Sequence, residues 1–258
     1  MGSKTKNIWD SIALNYENNV LSPLSAKVQN PLFGCLNSLE RAKYKRVADF
    51  GCGPGALLSF LAMPFEEVVA IDSSPVMIEK AKESHKEKNI QYALMDMCNL
   101  KAIRSSIDIG IAVNSMASSS IKENQNMVNE ISRSLRPGGL FVAIFPSFDT
   151  VVYLRQLTSD SLLAAGQTKS ETDYIIHKEF DIKFKMDIEK GLYADDTIHV
   201  QKLYTPSEIS ALIGKSGLRN FSELEKVLYP WEITRRYQYG YFPGKPKIWD
   251  WFIVAIKD

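Results

Sequence analysis

The sequence predicts an α/β protein with a doubly wound, mostly parallel seven-stranded sheet whose last strand is antiparallel. Three observations carry this expectation. From Lys45 to Phe145, short apolar strands alternate with helical segments, the pattern of parallel strands joined by crossover helices. A glycine-rich turn, "FGCGPG", joins the first of those strands to its helix. The tail then changes rule: "NFSELEKVLY" and "WDWFIVAIK" read as strands with no helical pattern between them, most simply an antiparallel pair.

Taken in order, "IWDSIALNYENNVL" has helix-like spacing at Ile8, Ile12 and Tyr16, and a mixed segment with Pro23 and Pro31 follows. Residues 1–44 are therefore expected to form a helical cap segment. "RVADF" reads as the first strand and "GALLSFLA" as its helix, stopped before Pro64. "EEVVAID" is the second strand; Ser74 caps the next helix with Pro75 at its first position. "NIQYALMD" and "IDIGIAVNS" are the third and fourth strands. The helix through "NQNMVNEISRSLR" puts Met127, Val128, Ile131 and Leu135 on one stripe, "PGG" ends it, and "LFVAIF" is the fifth strand. Their apolar character suits a sheet covered on both faces. In the tail, "TPSEISALIGKSGL" is a helix with a capping box from Thr205 to Glu208.

Residues 147–203 interrupt this plan, leaving 45–146 and 204–258 as the core. The insertion contains a helical stretch, "TVVYLRQLTSDSLLAA", and a strand-like pair, "EFDIKFKMDIEK" and "TIHVQKLY". In the former, Phe180, Ile182, Phe184 and Met186 alternate with charges, which predicts a half-buried sheet. We expect the insertion to act as a lid over the carboxyl edge of the main sheet and to bind substrate.

Composition narrows the function. The formal net charge of +1 argues against broad electrostatic binding of nucleic acid or an anionic membrane. No apolar run approaches the roughly 20 residues that span a bilayer. The start, "MGSKTKNIWD", lacks the apolar stretch of a signal peptide, and Lys6 breaks the myristoylation pattern. Cys35, Cys52 and Cys98 are scattered and odd in number, which suggests a reducing compartment, no disulfide framework and no metal-ligand spacing. The expectation is a cytoplasmic protein.

The glycine turn bears the chemistry. In open α/β sheets a ligand sits beyond the carboxyl ends of the strands where strand order reverses. Gly51, Gly53 and Gly55 fall there, and glycine admits close approach of a ligand. Asp72 ends the second strand, where a carboxylate can accept both hydroxyls of a ribose. A dinucleotide fold also places an acid there, but its fingerprint is G-x-G-x-x-G. Here the third glycine comes one position early, with Pro54 inside the loop.

These residues resemble the class I S-adenosylmethionine-dependent methyltransferases, of small-molecule type. "VADFGCGPG" is similar to that family's first motif, "VVAIDSSPVMIEKAKE" to the second, "ALMDMCNL" to the third and "IDIGIAVNSM" to the fourth. "LRPGGLFVAIF" and the antiparallel last strand complete the likeness. The resemblance implies S-adenosylmethionine as cofactor. It implies that Asp49 orients the loop and approaches the methionine amino group, and that Gly51 and Gly53, with Cys52 and Gly55 in the same loop, border the methionine. Asp72 would hold the ribose, Ser73 and Met77 would lie beside the adenosine, and Asp96 and Met97 would meet the adenine. Asn114 would lie under the methionine through its backbone. "WDSIALNY" resembles a W-D-x-x-A-x-x-Y helix whose tyrosine, here Tyr16, reaches the cofactor carboxylate.

The implied reaction is in-line transfer of a methyl group to oxygen or nitrogen of a small-molecule acceptor. Such an acceptor often needs a base, and of the three histidines His199 is the candidate. Tyr153, Trp231, Arg235 and Tyr237 are candidates for the acceptor pocket, the last three from the aromatic-rich segment 229–252. Asn114-Ser115-Met116 stands where amine-methylating relatives carry N/D-P-P-Y, which makes a nucleic-acid acceptor less expected. The alternatives are a methyltransferase acting on protein or nucleic acid, a non-catalytic cofactor-sensing relative, and a nicotinamide oxidoreductase. The glycine spacing and Asp96-Met97 argue against the last.

Overall fold

The computed structural model describes residue 10 and residues 22–40, 42–183, 185–194, 200–234 and 245–258. Five strands run parallel: β1 (Arg46–Phe50), β2 (Glu67–Asp72), β3 (Ile90–Leu94), β4 (Ile107–Val113) and β5 (Leu135–Phe145). The insertion carries β6 (Leu192–Tyr193) and β7 (Gln201–Lys202), and the tail carries β8 (Leu218–Asn220), β9 (Glu225–Tyr229) and β10 (Ile248–Lys257). The main sheet is ordered β3-β2-β1-β4-β5-β10-β8, with β9 also on β10. β10 is antiparallel to β5, β8 and β9.

The strands are apolar because both faces are covered. Val47, Val68, Ile109, Ile111, Val142 and Ile144 point into one core, and Ala48, Phe50, Ile71, Phe141 and Phe145 into the other. The first core is closed by α1 (Pro31–Ser38), α2 (Leu58–Ala62) and α3 (Pro75–Ser84). The second is closed by α4 (Ile121–Ser134) and by α7 (Pro206–Lys215), which follows the insertion. The expected stripe of Met127, Val128 and Ile131 is fully buried there. The Thr205–Glu208 capping box forms at the start of α7.

Three local differences from the sequence reading have physical causes. "PGG" does not precede the fifth strand but lies within it: pairing steps from Ile107 with Leu135 to Ile109 with Leu140. The turn is thus a bulge, with Gly138 at φ +72. The expected sixth strand, "NFSELEKVLY", is split into β8 and β9, because Phe221 N–H and Ser222 N–H both donate to Val254 O and interrupt the ladder. Helix α1 lies in the segment read as mixed; Asn30 caps it by accepting from Leu32 N–H, and Pro31 sits at its first turn.

The insertion holds α5 (Phe148–Ala164), as expected, and α6 (Lys169–Ile176), which the sequence reading misses. The expected strand 179–190 is a correction. A capping box between Thr168 and Glu171 starts α6, and the chain continues as a π-helical turn over His177–Ile182. In a strand, residues two apart share a face; in a helix they diverge. Phe180 is buried while Ile182 is 60% exposed, so the apparent alternation is helical in fact. Among the described residues the small sheet consists of β6 and β7, while Phe184 and residues 195–199 of the expected pair lie outside them. After the tail's β9 comes one helical turn, α8 (Trp231–Thr234). Among the described residues no helix is long and apolar enough to cross a membrane.

Candidate active site

Strand order reverses beside β1, which lies between β2 and β4, so a crevice opens at their carboxyl ends. The glycine loop lines it. Gly51 N–H and Cys52 N–H both donate to Ile71 O, at 2.8 and 2.9 Å, which pins the loop to β2. Gly51 has φ +75, and a Cβ placed on it would sit 2.5 Å from the Ser115 Cβ. Gly55 has φ +97, and a Cβ there would meet the His85 ring at 2.7 Å. Both positions therefore demand glycine, by conformation and by space.

Asp72 ties the loop to α3. Its Oδ2 accepts from Gly53 N–H at 2.9 Å and its Oδ1 from Ser74 N–H at 2.8 Å. Burial pushes its carboxyl above the usual range, and the N–H groups of Ser74, Gly53 and Ser73 hold it back. Ser74 caps α3, accepting from Met77 N–H at 3.1 Å, and its hydroxyl donates to Asp10. Asp49, 3% exposed at the end of β1, is pushed up to about 7 by burial and then by the neighbouring Asp72. Met77 is buried at the start of α3.

Beyond β3, Asp96 Oδ1 accepts from Cys98 N–H at 2.9 Å, and the buried Met97 directs its methyl toward Gly51. Asn114 ends β4 with φ +49, its N–H donating to Ile144 O at 2.9 Å. The structure thus brings Asp49, the glycine loop, Asp72, Ser73, Met77, Met97 and Asn114 to one edge of the sheet. Burial, with Asp49 and Asp72 adding to it, drives the Cys52 thiol well above its ordinary pKa, and burial and then Asp96 lift Cys98 to about 11. Neither thiol is poised as a nucleophile.

Other candidates fare differently. Tyr16, His199, Arg235 and Tyr237 lie outside the described residues. Tyr153 stands on α5 with its ring 5.6 Å from Trp249, whereas Trp231 packs with Leu154 and Phe180 in the insertion's own small core. His85 Nδ1 lies 2.9 Å from Ser59 Oγ, and His177 Nδ1 lies 3.0 Å from Asp181.

The sequence reading misses Asp250. It projects from β10 and accepts from Asn114 Nδ2 at 3.0 Å, from the Tyr229 hydroxyl at 2.5 Å and from Ser147 N–H at 3.2 Å. The signal is legible afterwards: "WDWFIV" sets one acid inside an otherwise apolar strand. Burial raises the Asp250 carboxyl despite these donors, and burial together with Asp250 pushes Tyr229 well above its usual pKa.

A methyltransferase-domain family model matches residues 47–139, the stretch that builds this edge. Malonyl-[acyl-carrier protein] O-methyltransferase of Acetivibrio thermocellus is 24% identical over 234 residues, spanning 83% of this chain and 78% of the relative. These matches agree with the class I S-adenosylmethionine-dependent methyltransferases that the sequence motifs resemble. Trans-aconitate 2-methyltransferase of Mycobacterium marinum is 28% identical over 116 residues, so the chain spans 41% of that relative's length. A solved methyltransferase structure from Methanosarcina mazei has the same fold, with a TM-score of 0.62 at 16% identity, over 88% of this chain and 97% of that one.

The residues present fit S-adenosylmethionine, the cofactor that the motif resemblance implies. The Gly51 cradle leaves no room for a side chain, as a site for close backbone approach requires. Asp72 offers a carboxylate for hydroxyls. At the end of β4, Asn114 Oδ1 and Ser115 Oγ are buried polar atoms without a partner among the described residues.

Proposed function

We propose that this methyltransferase transfers a methyl group to a carboxylate oxygen of a small acid. The malonyl and aconitate groups in the names of the two relatives both carry carboxylates, and this supports the acceptor class. A carboxylate with an ordinary pKa of about 4 is already ionised at neutral pH and needs no base. Among the described residues, His85 and His177 each have Nδ1 engaged with a side chain, Ser59 and Asp181 respectively.

On the cofactor side, the observation that carries the reading is the pair of bonds joining Asp72 to Gly53 and Ser74. They hold the carboxylate at the mouth of the glycine loop, where it meets the ribose hydroxyls. Gly51 and Gly53 border the methionine, with Asp49 near its amino group and Asn114 beneath it. Ser73 and Met77 flank the adenosine, and Asp96 and Met97 meet the adenine. The cofactor supplies a methyl group activated by a positive sulfur; the protein supplies orientation and a dry site. The insertion, 147–203, serves as the lid and contributes Tyr153 to the acceptor side.

Calorimetry with S-adenosylhomocysteine tests the first half. We expect micromolar binding by the wild type and a loss of about tenfold or more in Asp72→Ala, since a buried charged acceptor is removed. Equal binding by the variant would sink the assignment. The second half is read by methyl-labelled cofactor and a panel of small di- and tricarboxylic acids. A methyl ester releases its label in alkali; alkali-stable label would show transfer to another kind of atom.

A further inference from the structure

Asp250 has no part in the motifs that bind the cofactor, yet it touches the cleft's wall. Asn114 holds a left-handed backbone, φ +49, a conformation that asparagine adopts more readily than other side-chain-bearing residues. Its carboxamide nitrogen donates to the Asp250 carboxylate. The same carboxylate takes the Tyr229 hydroxyl from β9 and the N–H of Ser147. Ser147 is the cap of α5, accepting from Thr150 N–H at 3.2 Å, and so marks the root of the insertion. Neighbouring Thr150 is bound in both directions to the backbone of Trp249, at 2.6 and 2.9 Å.

We propose that Asp250 is a positioning residue: it fixes the carboxamide and left-handed turn of Asn114 as a wall of the cofactor cleft and ties that wall to the root of the insertion. This rests on Asn114 lining the cofactor. An acceptor-only group is required at position 250, because three donors converge on it. An amide there would oppose its own NH2 to one of them. The simplest escape is a flip of Asn114, which would turn its other face, now an oxygen, into a donor.

The test is a reciprocal exchange read by S-adenosylhomocysteine calorimetry and by thermal melts. Asp250→Asn sets donor against donor, and Asn114→Asp sets carboxylate against carboxylate; each is expected to weaken binding about tenfold, and the double variant to return within about threefold of wild type. In the double, the amide now on β10 donates to the carboxylate now at the end of β4, and the charge count is unchanged. A single variant that loses its cooperative melt and regains it in the double also supports the pairing. The proposal is overturned if folded Asp250→Asn binds like wild type, if the singles lower the melting temperature without weakening binding, or if the double is no better than the singles. Absence of binding in the wild type would instead defeat the cofactor placement, and this proposal with it.

Discussion

At residue scale, Asp49 is a buried acid whose ionisation bears on both stability and the proposed ligand. Its carboxyl titrates at about 7, raised by burial and by Asp72, against an ordinary 3.8. The folded chain therefore holds this proton more tightly than the unfolded one. Its contribution to stability is complete below about pH 4 and is lost as pH rises through about 7. Binding has the opposite sign. On the proposed placement, a cationic amino group beside Asp49 would favour the carboxylate, so binding below neutrality would release a proton. Affinity for S-adenosylhomocysteine should rise by up to tenfold per pH unit as pH climbs toward 7, then level off. Asp49→Asn should bind weakly with a flat profile and melt higher than wild type at pH 8 without ligand. A sloping profile in that variant would assign the proton to another group. The positions of Asp49 and Asp72 are legible in the sequence because each ends an apolar strand next to a glycine or a cap. Asp250 is harder to see, because its role depends on partners from β4, β9 and the residues after β5 that only the folded sheet assembles.

At the scale of elements, the glycine loop is under the tightest constraint. Gly51→Ala would combine a positive φ with a 2.5 Å approach to Ser115. We expect a loss of about 2 kcal/mol or more of stability, seen in denaturant melts, together with impaired cofactor binding. A melt within experimental error of wild type would show that the loop can move aside. Strands β1, β2 and β4, with their buried apolar runs, and the capped helices α3 and α7 are where the sequence speaks clearly, because burial on both faces and side-chain caps are local signals. The insertion misleads for an equally local reason. Phe180 and Ile182 mimic the period of a strand, and the Thr168–Glu171 box that begins the helix lies several residues upstream.

At the scale of the whole molecule, the cleft is made by groups at the carboxyl ends of β1 to β4, so ligand and fold are thermodynamically linked. At a hundredfold excess over its dissociation constant, S-adenosylhomocysteine should add about 2.7 kcal/mol, or roughly 5–10 °C in melting temperature for a chain of this size. Asp72→Ala, binding about tenfold more weakly, should lose about half of that rise, and an equal rise in the variant would mean that the ligand binds elsewhere. The order of strands also bears on how the chain reaches this state. β5 finds its antiparallel partner, β10, only after the whole insertion, α7 and two further strands have been made. Until then the apolar run from Leu140 to Phe145 has an open edge of unpaired N–H and C=O groups. The nascent chain passes through a stage at which a run that ends fully buried is its most adhesive one, and the last strand acts as an internal chaperone for the sheet it completes.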